Sequence, residues 1–196
     1  VKDKTWTTGW TSFLSYQVGS NPFLFLQKES QGTTKIHPLE WDATMDSATK
    51  DSTWSSGWDT FASWEDGGET YLFHYKSQTG SAKVLELTSS GETDCCSEND
   101  AWSSGWDVHI YQAAGNNYLF RYALSSSQIR SMSLGAGTFG NEIDNDYWLA
   151  DDYIRFDSAQ IDGSDYFFRL SMSGILDVLS ISPTGIIGNV VDSLSI

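Results

Sequence analysis

The motif Trp-x-x-Gly-Trp recurs at a fixed interval, and no other feature narrows the folds open to this chain so far. It reads Trp6-Thr7-Thr8-Gly9-Trp10, Trp54-Ser55-Ser56-Gly57-Trp58 and Trp102-Ser103-Ser104-Gly105-Trp106, with 48 residues between successive first Trp residues. A worn copy, Trp148-Leu149-Ala150-Asp151-Asp152-Tyr153, begins 46 residues later. An aromatic run keeps step: Phe23-Leu24-Phe25, Tyr71-Leu72-Phe73, Tyr118-Leu119-Phe120 and Tyr166-Phe167-Phe168 follow their Trp by 17, 17, 16 and 18 residues. A third anchor, a turn leading into a strand, covers 32–39, 80–87, 127–134 and 174–181. Three anchors in four registers establish an internal repeat of about 48 residues.

Each repeat reads as short strands. Tyr71-Leu72-Phe73-His74-Tyr75 is aromatic-rich and bounded by Gly turns, as a buried strand is. Ala82 to Leu87 alternates polar and apolar, as a half-exposed strand does. The stretch from Trp58 to Trp64 supplies another strand, and the segment before each Trp pair a fourth, weaker one. Nothing shows sustained helical periodicity, and the turns use Gly, Asn, Asp and Ser, with only three Pro in the chain. A 40–50-residue repeat of four strands is the signature of a propeller blade. The predicted architecture is therefore all-β: one four-bladed β-propeller over 1–196, with repeats near 1–48, 49–96, 97–143 and 144–196. The C-terminal stretch from Gly188 to Ile196 is expected to pair beside the first blade and close the ring, hiding an edge. A β-trefoil wants three units, and an open stack of four leaves edges exposed.

The order Trp-x-x-Gly-Trp, turn, aromatic-Leu-Phe, Thr-Gly, alternating strand resembles the Trp/Gly-rich repeats of lectin propellers, the tachylectin-like and FG-GAP-like proteins. The resemblance runs over nearly the whole chain and implies a propeller fold with carbohydrate recognition. The alternating-Asp calcium loop of FG-GAP repeats is missing; Asp144-Asn145-Asp146 and Asp162-Gly163-Ser164-Asp165 come nearest to it. Hemopexin-like domains share only the blade count.

The charge restricts partners. With 11 basic and 26 acidic side chains the formal net charge is −15, which repels phosphate backbones and anionic lipid. Cations, basic proteins and neutral ligands such as sugars stay open as partners, and nucleic acid and membrane insertion are not expected. No window reaches the roughly 18 apolar residues of a membrane span. The first residue is Val1, which fits a trimmed N-terminus and secretion. The only cysteines, Cys95 and Cys96, are adjacent, so either a strained vicinal disulfide or two neighbouring thiols is open.

The Trp pairs carry the sharpest functional expectation. An indole face stacks on the C–H face of a sugar while nearby polar groups fix its hydroxyls. The first Trp of each pair is expected in the core. The second, Trp10, Trp58 and Trp106, is open to either core or ligand contact. Asp59 and Asp107 directly follow two of these, and His74, Arg121 and Arg169 share one strand position that faces away from the apolar side chains. Trp41 and Trp64 fall outside the repeat and are expected in loop or edge packing. The three His are scattered, and no nucleophile elbow, zinc helix, P-loop or dinucleotide fingerprint occurs. The expectation is a secreted, multivalent glycan-binding protein without catalysis or cofactor, open to self-association. A protein-interaction or structural propeller that self-assembles, and a central-channel binder of a hydrophobic ligand or metal ion on the hemopexin-like four-blade analogy, are the alternatives.

Overall fold

The computed structural model describes residues 7–40, 42, 44–45, 47–148 and 152–196; the side chain of Cys95 is outside the description. Trp6, Trp41 and any sulfur bridge to Cys95 therefore lie outside the described residues, while Cys96 is an exposed free thiol. All regular structure among the described residues is strand. Two compact units divide the chain, 1–104 and 105–196.

The first unit holds two antiparallel four-stranded meanders. One is β1 (Ser12–Val18), β2 (Asn21–Lys28), β3 (Thr33–Pro38) and β4 (Lys50–Thr53). The other is β5 (Thr60–Asp66), β6 (Glu69–Lys76), β7 (Ser81–Leu87) and β8 (Thr93–Ala101). The second unit repeats the plan with β9 (Trp106–Ala113), β10 (Asn116–Ala123), β11 (Gln128–Leu134) and β12 (Phe139–Tyr147). Its other sheet is β13 (Tyr153–Ile161), β14 (Ser164–Ser171), β15 (Ile175–Ile181) and β16 (Ile187–Ser195). Each sheet is one sequence repeat. The sheets break at the Trp pairs, so a cut between 96 and 97 falls inside β8.

The C-terminal strand is placed differently from the expectation. β16 pairs antiparallel with β15, Ile175 opposite Ser195, as the outer strand of its own sheet, and β1–β4 is complete without it. The reason is local: a five-residue connection, 182–186, makes the return to β15 far cheaper in chain entropy than pairing with a distant edge.

Two-residue turns set the register of the first hairpin in each sheet. Ala114 and Gly115, at φ 49° and 79°, are both left-handed, the geometry that matches strand twist. The turn before each Trp is tied to that Trp. The Trp54 and Trp102 N–H groups donate to the carbonyls of Gly32 and Gly80, both at 2.8 Å. A Cβ on Gly80 would lie 1.8 Å from the Trp102 carbonyl oxygen, so only glycine fits. Ser127 takes the same place in the third repeat at φ 53°, where its carbonyl accepts the Trp148 N–H.

Each unit has its own core between its two sheets. In the first, Tyr16, Phe23, Phe25 and Ile36 meet Leu72 and Leu87, with Trp54 and Phe61 packed against them. In the second, Tyr111, Phe120 and Tyr122 meet Phe167, Leu179 and Ile181. The first Trp of a pair joins these cores as expected: Trp54 lies 5.6 Å from Phe25, and Trp148 lies 5.2 Å from Phe120. Trp64 corrects its expectation. It is buried in β5 opposite Tyr71 and packs on that ring at 5.4 Å, so it belongs to the repeat at the position of Tyr16 and Tyr111.

Candidate functional site

The second Trp of each pair is a packing residue. Trp58 is 3% exposed, and its ring stacks on His74 with centroids 3.9 Å apart, while the Lys76 ammonium lies 4.6 Å from it. Trp106 is 6% exposed and carries the Arg121 guanidinium at 5.1 Å. Half-buried Trp10 lies under Lys28 at 5.0 Å. In the last repeat Arg169 sits 4.3 Å from both Trp148 and Tyr153. One device thus recurs: an aromatic at the start of the sheet is covered by a cation from the second strand (Lys28, Lys76, Arg121 or Arg169), an attraction worth about 0.5–2 kcal/mol, and Trp58 carries the His74 ring as well.

The polar candidates are held by neighbouring groups of their own sheets. Asp59 accepts the Ser77 N–H at 3.0 Å and fixes the end of β6. The Asp107 carboxylate accepts the Val108 N–H at 3.0 Å. Arg169 Nε donates to Asp177 Oδ2 at 3.0 Å, and Ser193 donates to the other carboxylate oxygen at 2.8 Å. Burial, with Lys83 and Lys76 nearby, holds the His74 imidazole down at about 3, so it is neutral in the folded chain. Sequence reasoning found a shared polar position in His74, Arg121 and Arg169. What it missed is that the indole of the same repeat is the partner.

The hollow in the first unit lies elsewhere, where the β1–β4 sheet meets the β7–β8 connection. It has a volume of about 270 Å³ and is lined by Asn21, Pro22, Phe23, Pro38, Leu39, Glu40, Thr49 and Ser90. Strand ends place these groups. Phe23 and Pro38 are cross-strand partners, and the Leu39 N–H donates to the Pro22 carbonyl at 2.9 Å. Glu40 is held by its own N–H on the Thr44 carbonyl at 2.8 Å, which leaves an exposed carboxylate. Ser90 rides on a turn closed by the Thr88 N–H to Glu92 carbonyl bond at 2.8 Å, and Lys50 ties that turn to β4 through Glu92 at 3.3 Å. The floor is firm: Phe23 stacks on Tyr16 at 5.6 Å, and a Cβ on Gly91 would lie 2.5 Å from the Phe23 ring.

No sequence candidate lines this hollow. Two signals pointed to it. Pro22 and Pro38, two of the three prolines, both line it. The β3–β4 connection, 39–49, has eleven residues where β7–β8, 88–92, has five.

No protein-family model matches the chain, and no curated protein matches it in sequence. Solved structures do match in fold. The Pseudomonas aeruginosa periplasmic gluconolactonase superposes with a TM-score of 0.67 at 12% identity, over 95% of this chain and 54% of its own. A Bacteroides uniformis protein assigned as a 6-phosphogluconolactonase gives 0.64 at 15% identity, over 93% and 56%. An endo-1,4-β-xylanase from Bacteroides thetaiotaomicron gives 0.61 at 15% identity, over 96% and 78%. This chain thus spans a little over half the length of the first two. With one four-stranded sheet per repeat, the chain has the four-blade β-propeller fold.

These findings correct the functional expectation. Indoles 3% and 6% exposed offer no face to a sugar, and no family match supports the Trp/Gly-rich lectin type. The propellers it superposes on include proteins named as enzymes, so the non-catalytic lectin reading is withdrawn.

Proposed function

We propose that this chain is a hydrolytic propeller that opens the ring ester of a small, neutral sugar lactone in the hollow around Glu40. The observation that carries the reading is the hollow: a firm apolar floor, hydroxyl and amide donors at its sides, and a carboxylate reaching solvent. At about 270 Å³ it lies just under the roughly 300 Å³ at which drug-sized pockets begin, which suits a single-ring substrate. The fold likeness to a gluconolactonase and to a protein assigned as a 6-phosphogluconolactonase gives further support.

In this reading Glu40 is the general base. It takes a proton from a water molecule as that water attacks the lactone carbonyl carbon. The ring C–O bond then breaks, and the leaving oxygen takes the proton from Glu40. One water is consumed and one aldonic acid released, which ionises near neutral pH. The Asn21 amide and Ser90 hydroxyl are the donors for the substrate's oxygens, including the developing oxyanion. Phe23 and Leu39 meet the C–H face of the ring.

Charge favours a neutral substrate. Among the described residues of the lining Glu40 alone is charged, and the chain carries a net −15, so a phosphorylated lactone is repelled. The same repulsion speeds departure of the acidic product. Export from the cytoplasm belongs to this reading, supported by the periplasmic gluconolactonase among the similar folds.

The test is acid release at constant pH from glucono-δ-lactone and from its 6-phosphate. The expected result is acceleration over spontaneous hydrolysis for the neutral lactone and a much weaker effect for the phosphate. Spontaneous rates for both would overturn the proposal.

A further inference from the structure

The second repeat differs from the other three in the charge beside its Trp. In the first, Lys28 lies over Trp10, and Lys35 of β3 is neutralised by Asp51 at 2.8 Å. In the third, Arg130 lies 5.9 Å from the Trp106 ring and is held by Glu142 at 3.2 Å. In the fourth, the Arg169 guanidinium over Trp148 meets Asp177 at 3.0 Å. In the second, the Lys76 and Lys83 ammoniums lie 4.6 and 5.8 Å from the Trp58 ring. Among the described residues neither of these two is in an ion pair.

Strand pairing gives the reason. Lys83 stands opposite Asn99, whereas Lys35 stands opposite Asp51. Leu85 stands opposite Cys96 at the place where Met132 meets Glu142. Asn99 and Cys96 therefore hold the positions of the two acids. Asp59, next to Trp58, is taken up by the Ser77 N–H and hydroxyl. His74, stacked on the same indole, is 3% exposed, and neither of its ring nitrogens has a hydrogen-bond partner among the described residues. The charges that bear on that ring are those of Lys83 and Lys76.

We propose that Lys76 and Lys83 hold a small doubly charged oxyanion, of the sulfate or phosphate kind, beside Trp58, where the other repeats carry a carboxylate. Two ammoniums match two negative charges and supply charge-assisted hydrogen bonds. Ser55 Oγ accepts from Lys76 Nζ at 3.0 Å, which leaves the Ser55 hydroxyl proton for the same ion. The net charge of −15 repels anions at a distance, so the attraction is local and acts within about one Debye length, roughly 10 Å at 0.1 M salt.

The test is titration of the full chain with sodium sulfate at constant ionic strength, sodium chloride making up the balance, read by NMR signals of the lysine side chains and the His74 ring. The expected result is a saturable shift in which Lys76, Lys83 and His74 move together. Lys83→Met and, separately, Asn99→Asp, which restores the carboxylate of the first repeat, are each expected to weaken binding about tenfold or more, the worth of one charge-assisted hydrogen bond. Lys35→Met lowers the net charge by the same single unit at a site that already has Asp51, and is expected to bind as wild type. If Lys83→Met loses its sheet signal in circular dichroism, Lys76→Met replaces it with the same expectation. Shifts that grow linearly with sulfate, or an Asn99→Asp chain that binds like wild type, overturn the proposal.

Discussion

The buried Tyr16 hydroxyl donates to the Gly91 carbonyl at 2.6 Å and ties the first strand of one sheet to the turn that presents Ser90. Tyr111 makes the same bond to the Gly185 carbonyl in the second unit. Removing the hydroxyl leaves a buried acceptor unpaired, which costs about 1–3 kcal/mol. Tyr16→Phe is expected to lower the urea midpoint accordingly. Burial also raises the Tyr16 and Tyr111 hydroxyls well above the ordinary tyrosine range. Their contribution is complete below pH 10 and lost as pH climbs through the folded values, so wild type is expected to lose stability above pH 10 and Tyr16→Phe to lose less.

His74 sets the acid side. Its folded value of about 3 lies below the ordinary 6.5, so the unfolded chain takes up the proton first. The stability it contributes is present above pH 6.5 and falls as pH drops toward 3. Between those limits the slope approaches about 1.4 kcal/mol per pH unit from this group. His109, also lowered by burial, adds in the same direction. Urea unfolding of His74→Phe between pH 7 and 4 is expected to show a visibly flatter dependence than wild type.

The turn before each Trp gives a paired test. Gly80→Ala puts a Cβ against the Trp102 carbonyl at φ +78° and is expected to cost about 2 kcal/mol or more. At the equivalent place Ser127 already holds φ 53°, and Ser127→Gly is expected to gain about 1 kcal/mol. Thermal melts of the two variants check both signs.

The Arg169–Asp177 pair is mostly enclosed, with side chains 12% and 11% exposed. Asp177→Ala leaves a guanidinium without its carboxylate and is expected to cost about 3 kcal/mol. Arg169→Met with Asp177→Leu removes both charges and is expected to recover most of that loss in the same denaturation assay.

The repeat made the fold legible. Aromatic runs marked β2, β6, β10 and β14, and the intervals between Trp pairs gave one sheet per repeat. The role of the second Trp was not legible, because composition shows that an indole is present and not what covers it. His74 lies sixteen residues from Trp58, and only the β5–β6 hairpin brings the rings to 3.9 Å. The hollow was harder still. Asn21, Glu40, Thr49 and Ser90 share no motif and come together only through strand ends and connections. The eleven-residue β3–β4 connection and the Pro22 and Pro38 pair were the departures from the repeat that marked the place.

The most direct measurement of the central claim is kcat/KM for glucono-δ-lactone in wild type and Glu40→Gln, with circular dichroism to verify the fold of both. Loss of about two to four orders of magnitude in kcat with little change in KM is the expected result for a general base. Undiminished turnover in a folded Glu40→Gln chain would contradict the account and move the chemistry out of this hollow.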